Sequence, residues 1–357
     1  MKVCILYGGR SGEHEVSLRS AASVVKNLDA SRYSVTLIGI DKGGRWHAQE
    51  APRFTHVAGQ GDVLSLVPSS RTVSVVPSDG IHVDGRKVPI DCVFPVLHGT
   101  FGEDGTVQGL LEMAGLPYVG AGVLGSSASM DKETAKRLWR DAGLPIVDFE
   151  VVRRGATPDE YRVAASRLGM PLFVKPCSAG SSLGAARVDT GEALLPAIEE
   201  ALRFDMRALI ERCVDAREIE CAVTGNFPAR AFPPGEIVPS SGHGFYDYEA
   251  KYIDPQGATL RAPAELDPGV RDTIMRTAEA AYTVIRCQGM ARVDFFVDRV
   301  SGGVYLNEIN TIPGFTSISM FPRMCGAAGL SYPRLLDTLI ELAVARETEK
   351  ATVRFEK

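Results

Sequence analysis

Three oxygen-bearing side chains, Asp294, Glu308 and Asn310, lie in two neighbouring apolar segments near the end of the chain. Both segments have the composition of β-strands, and the Ser-Gly-Gly at residues 301–303 between them favours an antiparallel hairpin. Residues two apart on a strand face the same side, so Glu308 and Asn310 share a face that Asp294 on the partner strand can reach. Carboxylate and amide oxygens suit Mg²⁺ that holds phosphates, and Arg292 would project to the same side and could hold an anion. The sequence therefore predicts a metal and anion site on this hairpin.

The segment that follows the hairpin helps to separate this interpretation from a simpler one. Three polar residues on a sheet often do no more than face solvent. Here, however, Asn310 runs directly into residues 311–314, where Gly314 follows a proline. A glycine lets backbone N–H groups come close to a ligand, which favours a functional site.

A lysine at the end of another predicted strand begins a second candidate site. Lys175 is followed at residues 176–184 by a loop of small residues, rich in serine and glycine. Such a loop can offer backbone N–H groups, hydroxyls and one positive charge to a phosphate. The lysine precedes the loop, so this is neither a Walker A motif nor the GxGxxG of a dinucleotide fold. A flexible β-turn is the simpler alternative, but the Lys-Pro start and the downstream hairpin favour a phosphate site.

A strand end between these two segments is a weaker signal. Residues 208–211 read as a strand, and Glu211 and Arg212 at its end could offer backbone groups to an adenine. Glu218 could contact a ribose. A surface glutamate is usually only solvated, so these residues alone would not predict a nucleotide site.

The bulk composition narrows the function classes. The 357 residues predict two or three domains, and the 45% hydrophobic and 23% charged content is ordinary for a soluble protein. A net charge of -5 and a pI near 5.8 argue against a nucleic-acid or membrane surface. No apolar run approaches the ~20 residues that cross a bilayer, and residues 1–9 suit a first strand and turn better than a signal peptide. The seven cysteines and six histidines show no metal-ligand spacing, so we expect reduced cysteines in the cytoplasm.

The elements that position these residues can be placed over most of the chain. In the N-terminal third, strands alternate with helices and therefore predict a parallel α/β sheet. Its strands are expected at residues 3–7, 34–40 and 91–97, and its helices around residues 21–28 and 107–114. The stretch from Gly43 to about Lys87 shows only weak periodicity. Further on, we expect helices at residues 135–142, 157–169, 270–285 and 335–345, and strands at residues 171–175, 208–211 and 219–224.

The order of these motifs resembles the ATP-grasp fold and, within it, the D-alanine–D-alanine ligase family, over about residues 3–345. The specific marks are five segments in the family's order: residues 8–17, 97–105, 129–132, 245–252 and 310–317. The implied fold is α/β and α+β, an ATP-grasp fold with an N-terminal Rossmann-like parallel-sheet domain. The implied domains are residues 1–125, which bind substrate, residues 126–213, the central ATP-grasp subdomain, and residues 214–357, which carry the metal site and a lid loop at residues 239–252.

The resemblance implies ATP-dependent joining of two D-alanine molecules through a D-alanyl phosphate, for peptidoglycan precursor synthesis. It implies two Mg²⁺, for which Mn²⁺ can substitute, and leaves a monovalent cation open. By position, the metal ligands are Asp294, Glu308 and Asn310. The matched ATP-binding residues are Lys132 and Lys175 at the phosphates, Glu211 and Arg212 at the strand end, and Glu218 at the ribose.

The same matching implies residues around the two amino-acid substrates. Arg292 and Gly314 match the oxyanion stabilisers. The residue that receives the first D-alanine's ammonium is Glu13, which Ser181 and Tyr252 connect to the mobile loops. His98 matches a position near the first carboxylate, and Lys251 and Ser319 match positions near the second. Without the resemblance, Glu13 would read as a helix N-terminal carboxylate and His98 as a core histidine at a strand end.

Three other functions remain open at this stage. A relative that joins D-alanine to D-lactate or D-serine is the nearest alternative, and the intact segment around Tyr252 favours the dipeptide. A different ATP-grasp carboxylate–amine ligase is disfavoured by Glu13 and Lys251. A nucleotide sensor without chemistry is disfavoured because Arg292, Asp294 and the other ligands are all present. The family further implies a homodimer, formed through the N-terminal domain, with no nucleic-acid or membrane partner.

Overall fold

A computed structural model describes residues 1–59, 61–239, 258–316 and 318–354 of the chain. Its strands in the N-terminal third are β1 Lys2–Gly8, β2 Ser34–Ile40, β3 Trp46–Gln49, β4 Phe54–Val57, β5 Gly61–Leu64, β6 Val73–Val76, β7 Gly80–Val83, β8 Arg86–Lys87 and β9 Cys92–Val96. The later strands are β10 Phe149–Arg153, β11 Leu172–Pro176, β12 Ala186–Val188, β13 Arg207–Arg212, β14 Ala216–Gly225, β15 Arg230–Ala231, β16 Gly235–Pro239, β17 Ala258–Arg261, β18 Gly289–Asp298 and β19 Val304–Asn310. The helices are α1 His14–Asn27, α2 Thr106–Met113, α3 Val123–Met130, α4 Lys132–Asp141, α5 Pro158–Ser166, α6 Gly191–Phe204, α7 Pro268–Val284, α8 Met320–Ala327 and α9 Tyr332–Lys350.

The N-terminal sheet has the strand order β3-β2-β1-β9. Strand β1 pairs in parallel with β2 and with β9, which confirms the predicted parallel arrangement, and β3 adds an antiparallel edge. The middle strands are apolar and buried along their length because helices cover the sheet. The carboxyl ends of β1 and β9 therefore open on the same edge, where Glu13 and His98 follow.

The segment that the sequence left unplaced forms small antiparallel units beside this sheet. Strands β4 and β5 pair as a hairpin, and β6, β7 and β8 form a three-stranded sheet. Each strand has four residues or fewer, and most of their side chains are partly exposed. Strands so short give almost no alternation for a sequence pattern to detect.

A second sheet, of order β10-β13-β11-β12, forms the middle of the chain. Helices α5 and α6 pack on it around Leu172, Ile198 and Ile210. The predicted capping box starts α5: the Thr157 side chain accepts from the Glu160 N–H, and the Glu160 carboxylate accepts from the Thr157 N–H. The hairpin of β11 and β12 holds the glycine- and serine-rich loop at its tip.

The third sheet carries the predicted metal hairpin. Its order is β17-β16-β14-β18-β19, with β15 paired to β14. Strands β18 and β19 form the predicted antiparallel hairpin, and β14 pairs with β18 over ten residue pairs. Helices α4 and α7 cover one face through a core that contains Trp139 and Tyr282.

One core joins the first and third sheets. Residues of β1 and β9 share it with helices α8 and α9 and with Phe315, which follows the β19 strand. The Phe315 ring is fully buried and lies 5.7 Å from Phe94, 5.7 Å from Phe321 and 6.3 Å from Tyr332, centroid to centroid. The contacts with Phe94 and Tyr332 are edge-on, and such contacts are favourable and define one orientation of the rings. None of the helices in the described residues is both long and apolar enough to cross a bilayer.

A buried carboxylate adds a polar contact to this junction and leads to a prediction. Asp337 of α9 accepts from the Tyr33 hydroxyl at 2.8 Å and also bonds Arg32. Asp337→Asn should lower the free energy of unfolding by about 1–2 kcal/mol, because a charge-assisted bond at a buried site becomes a neutral one. Denaturant unfolding measures this. The control is Glu341→Gln, which alters an exposed pair to the same Arg32 and should change stability by less than about 1 kcal/mol. Equal effects in the two variants would contradict the assignment.

Candidate active site

A cavity of about 390 Å³ lies where the three sheets meet. Every predicted site residue within the described part of the chain lines it: Glu13, His98, Lys132, Lys175, Ser181, Glu211, Arg212, Glu218, Arg292, Asp294, Glu308, Asn310, Gly314 and Ser319. Lys251 and Tyr252 lie outside the described residues. The structure thus brings together groups that are up to about 300 positions apart in the sequence.

The hairpin presents its polar residues as the spacing predicts. Asp294 is directly opposite Glu308, and Arg292 is opposite Asn310, so all four side chains leave one face of the sheet. The Asn310 amide donates to Asp294 Oδ2 at 3.1 Å. An irregularity in the strand pairing follows Asp294, and such bulges re-aim neighbouring side chains.

Arg292 is bound between two carboxylates. Its Nε lies 2.7 Å from Asp294 Oδ1 and 3.0 Å from Glu220 Oε1, and its Nη2 lies 2.6 Å from Asp294 Oδ2. Although burial opposes the charge, Asp294 and Glu220 hold the pKa of Arg292 well above its ordinary value. Glu220 is absent from the site predicted from the sequence. The available signal was its spacing of two from Glu218, which places both residues on one face of β14.

The hairpin can hold a divalent cation by the chemistry of its donors. Asp294, Glu308 and Asn310 supply only oxygen atoms, which a hard cation such as Mg²⁺ prefers. Within the described residues no group of three His, Cys, Asp or Glu side chains could ligate a metal alone. A cation here would therefore take its other ligands from phosphate oxygens and water, as Mg²⁺ commonly does.

Lys132 enters the cavity from the start of α4. Its Nζ donates to the carbonyl of Ala179 at 2.7 Å and lies 3.7 Å from Glu308 Oε2. The helix start is anchored by Asp131, whose carboxylate accepts from the Thr134 N–H and also binds Arg207 of β13. The lysine thus links the loop at residues 176–184 to the hairpin of β18 and β19.

Lys175 enters from β11, and the loop after it has an unusual backbone. Its Nζ lies 2.6 Å from Glu211 Oε2 and donates to Asn307 Oδ1 at 3.1 Å. In the loop, Ser181 and Ser182 have φ angles of 53° and 56°. Two successive non-glycine residues in the left-handed region are uncommon and turn the backbone sharply. The Glu211 carboxylate is occupied by lysines, so a nucleotide would meet this strand end through its backbone.

Glu13 connects the N-terminal part to the loop at residues 176–184. Its Oε1 accepts from the Ser181 hydroxyl at 2.5 Å. Gly99 has a φ of 73°, and a Cβ placed there would lie 2.6 Å from Glu13 Oε2, so a side chain at this position would displace the carboxylate. Glu13 therefore lies close against two loops from different parts of the chain.

His98 is held on both ring nitrogens by protein groups. Nδ1 donates to the Ile312 carbonyl at 2.9 Å, and Nε2 accepts from the Ser20 hydroxyl at 2.9 Å, an assignment that follows because a carbonyl can only accept. Burial lowers the pKa of His98, which agrees with a neutral ring. Its ring nitrogens thus connect the N-terminal part to the loop after β19.

Glu103 holds the same loop from the other side. Its Oε1 accepts from the Ile312 N–H at 2.9 Å, and its Oε2 accepts from the Gly99 N–H at 2.8 Å. Burial, together with the nearby negative charge of Glu13, raises the pKa of Glu103 to about 8. Glu103 lies within the family segment at residues 97–105, but the resemblance implies no role for it. Nothing in its spacing indicated a partner more than 200 residues away.

Ser319 closes the far side of the loop. It precedes α8, and its hydroxyl accepts from the Thr316 N–H at 3.0 Å. A Cβ at Gly314 would lie 2.7 Å from the Ser319 Oγ. The loop therefore brings the Gly314 backbone close to Ser319, in the cavity that Arg292 also lines.

Two antiparallel sheets that enclose lysines, a loop of small residues and a hairpin with oxygen donors, with a mostly parallel sheet attached, have the architecture of an ATP-grasp enzyme. Models of the two halves of one family match the chain: "D-ala D-ala ligase N-terminus" over residues 2–121 and "D-ala D-ala ligase C-terminus" over residues 138–341. The chain belongs to the D-alanine–D-alanine ligase family.

Individual relatives agree along almost the whole chain. It is 48% identical to the D-alanine–D-alanine ligase of Treponema denticola, with 97% of this chain and 96% of the relative covered. It is 44% identical to D-alanine–D-alanine ligase A of Escherichia coli K12, with the same coverage. Among solved structures, the D-alanine–D-alanine ligase of Coxiella burnetii aligns with a TM-score of 0.84 at 38% identity over 99% of this chain and 96% of that one. The VanG D-Ala:D-Ser ligase of Enterococcus faecalis aligns with a TM-score of 0.83 at 34% identity, covering 96% and 99% of the two chains.

Glu103 makes stability depend on pH in a definite direction. A carboxyl group with a pKa near 8 in the folded protein and an ordinary pKa in the unfolded chain binds its proton more tightly when folded. The stabilisation of the folded protein that results from this tighter proton binding is fully present at pH 4. It is lost as the pH rises from about 5 through 8. Glu103→Gln removes this titration, so thermal melting temperatures of the variant should fall less than those of wild type over pH 5–8. A parallel decline in both proteins would show that Glu103 does not carry the effect.

Proposed function

We propose that this chain joins two D-alanine molecules into D-alanyl-D-alanine, using ATP, and so supplies the dipeptide for peptidoglycan precursors. The observation that carries the proposal is one cavity that is lined by two lysines beside a phosphate loop, by the oxygen-ligand hairpin, and by Glu13, Arg292 and Gly314. Membership of the family agrees with this activity.

The chemistry explains why these residue types are needed. A carboxylate is a poor acyl donor, and transfer of the γ-phosphoryl group of ATP converts one of its oxygens into a leaving group. Lys132 and Lys175 neutralise the phosphates, and Glu218 and the backbone groups of the strand end at Glu211 and Arg212 bind the nucleoside. Glu13 accepts from the ammonium of the first D-alanine and orients it. This division of tasks leaves the reacting carboxylate beside the phosphate loop.

The second step needs stabilisation of negative charge on a carbonyl oxygen. The amine of the second D-alanine attacks the acyl phosphate, and charge develops on that oxygen. Arg292 and the Gly314 N–H donate to it. Glu220 keeps the guanidinium in place from the next strand, and His98, through the Ile312 carbonyl, keeps the loop in place. Ser319 and Lys251 lie, by family position, at the carboxylate of the second D-alanine.

Asp294, Glu308 and Asn310 would hold the divalent cations, which we propose to be two Mg²⁺. When bound, these ions add positive charge at the triphosphate and thereby favour phosphoryl transfer. The protein's own part is to keep three oxygen donors on one face of a rigid hairpin, whose strand β18 is buried against β14.

A product assay tests the proposal and its nearest alternative together. The structural likeness to a D-Ala:D-Ser ligase makes D-serine the specific second candidate for the second substrate. The purified protein is incubated with ATP, Mg²⁺ and D-alanine, alone or with D-serine or D-lactate. We expect phosphate release and the mass of D-alanyl-D-alanine to dominate. A mixed product as the main species would overturn the choice of second substrate, and ATP hydrolysis without any ligation would overturn ligase activity.

The wider organisation of the protein is part of the same proposal. We assign residues 1–125, 126–213 and 214–357 as the three domains, and we expect a cytoplasmic homodimer formed through the first of them. Supporting a contact surface there, Met113 of α2 and Leu124 of α3 are each 66% exposed although both are large and apolar. Sedimentation measures the oligomeric state of wild type and of Met113→Lys. If this face forms the homodimer contact, the variant should dissociate more readily than wild type.

Glu308→Gln should abolish ligation. A carboxylate can bridge two cations and partly neutralise them, whereas an amide does neither well. Turnover should fall by at least about 10²-fold, while calorimetry should show a smaller loss of MgADP affinity. The control is Glu265→Gln, which changes an exposed side chain on the same part of the chain. Near-normal turnover in saturating Mg²⁺ would remove Glu308 from the metal site.

Arg292→Lys should not be a conservative change. Lysine keeps the charge but lacks the fork that contacts two oxygens together, and loss of one oxyanion donor costs about 10²–10³ in kcat. The KM values for ATP and the first D-alanine should change far less, because the contact strengthens only as charge develops.

A matched control for this variant is available on the same sheet. Arg217 makes an equivalent two-point contact with Glu236, at 2.7 and 2.8 Å, and does not line the cavity. Arg217→Lys should therefore leave kcat within a few-fold of wild type. A folded Arg292→Lys protein that matches this control would refute the proposed role, and an intact kcat with a large rise in the KM for ATP would assign Arg292 to nucleotide binding.

A further inference from the structure

A third lysine lies behind the phosphate site, where the mechanism above does not use it. Lys136 follows Lys132 by one turn of α4, so both project from the same side of the helix. Lys132 reaches the cavity, whereas the Lys136 side chain has a relative exposure of 0%. Long charged side chains are almost never fully buried unless they are paired.

Lys136 is paired with the glutamate that also binds Lys175. Its Nζ lies 2.5 Å from Glu211 Oε1, and Lys175 Nζ lies 2.6 Å from Glu211 Oε2. Glu211 and Lys175 are diagonal neighbours on paired strands, because Glu211 is opposite Phe173. One buried carboxylate is thus shared between two ammonium groups, with one oxygen for each.

The net charge of this cluster determines how strongly the site around Lys175 attracts a phosphate. A lone Lys175–Glu211 pair would be neutral overall and would attract a triphosphate weakly. Burial lowers the pKa of Lys136, and the Glu211 carboxylate opposes that shift. With Lys136 protonated, the three groups carry a net charge of +1. Burial on its own raises the pKa of Glu211, but the two lysines outweigh it and hold that pKa below its ordinary value. The carboxylate therefore stays ionised and is neutralised from the side away from the cavity.

Packing alone does not account for Lys136. The centroid of the Phe149 ring lies 6.0 Å from its Nζ, and an apolar side chain of the same length at this position would avoid the cost of burying a charge. A buried ammonium group with no role would therefore destabilise the fold without any compensating benefit.

We propose that Lys136 is a positioning residue that neutralises Glu211. The positive charge of Lys175 is then not cancelled by that carboxylate and attracts the triphosphate of the nucleotide. This inference rests on the proposed function, since it requires that the cavity bind ATP. If Lys136 has this role, its removal should weaken MgATP binding only while Glu211 carries a negative charge. The affinities for the amino-acid substrates should change little. A lysine that only stabilised the fold would show neither property.

The experiment is a charge rescue, measured as the Kd for MgATP by calorimetry on the whole protein without D-alanine. Lys136→Met should raise this Kd by about tenfold or more, because it leaves Lys175 paired with an uncompensated carboxylate. The double variant Lys136→Met/Glu211→Gln removes both charges and restores +1, so its Kd should return to within about threefold of wild type. The matched control Arg140→Met removes a cation from an exposed position one turn further along the same helix and should leave the Kd unchanged.

The outcomes separate the two proposals. Wild-type protein that binds no MgATP would refute the proposed function itself. If wild type binds and Lys136→Met binds equally well, the positioning role is wrong. It is also wrong if the double variant binds more weakly than the single one, since that result indicates a loss of packing. Thermal melting establishes that each variant is folded. Should Lys136→Met fail to fold, the double variant decides alone: tight binding supports the role and weak binding overturns it.

Discussion

The whole site depends on how one short loop is attached to a distant part of the chain. The loop after β19 turns at Ile312, whose N–H is bound by Glu103 and whose carbonyl is bound by His98. Three residues further on, the N–H of Phe315 donates to the Ser20 hydroxyl, and the Phe315 ring is buried between the first and third sheets. Because both backbone groups of Ile312 are satisfied by buried side chains, the loop has little freedom to move independently of the N-terminal sheet.

This attachment places charge where the reaction needs it. Gly314 lies between the two anchors, so its backbone is held in the cavity that Arg292 also lines, although glycine by itself is flexible. Arg292 is in turn bound by carboxylates from its own strand and from β14. The donors proposed to act on the oxyanion are therefore ordered before any substrate binds, which is the condition under which such donors contribute most.

The opposite side of the cavity is organised by shared charges. Glu211 binds two lysines, and Arg207 binds both Asp131 and Glu133 at the start of the helix that carries Lys132. These contacts are buried or partly buried, where an unpaired charge would be costly. The lysines proposed to bind the phosphates are consequently held by a network and not by single surface pairs. Burial raises the pKa of Cys177 and of Cys287 to about 12, so these thiols are protonated, inert core residues.

The sequence by itself determined whatever depends on local spacing. The period of two on β18 and β19 set which side of the hairpin carries Asp294, Glu308 and Asn310. The capping box at Thr157 and the alternation of strands and helices indicated the elements for the same reason. Only the tertiary structure decided the partners of Glu103, Lys136 and Glu220. Their roles come from contacts between segments that are distant in sequence, and a buried charge looks like any other charged residue until its partner is known.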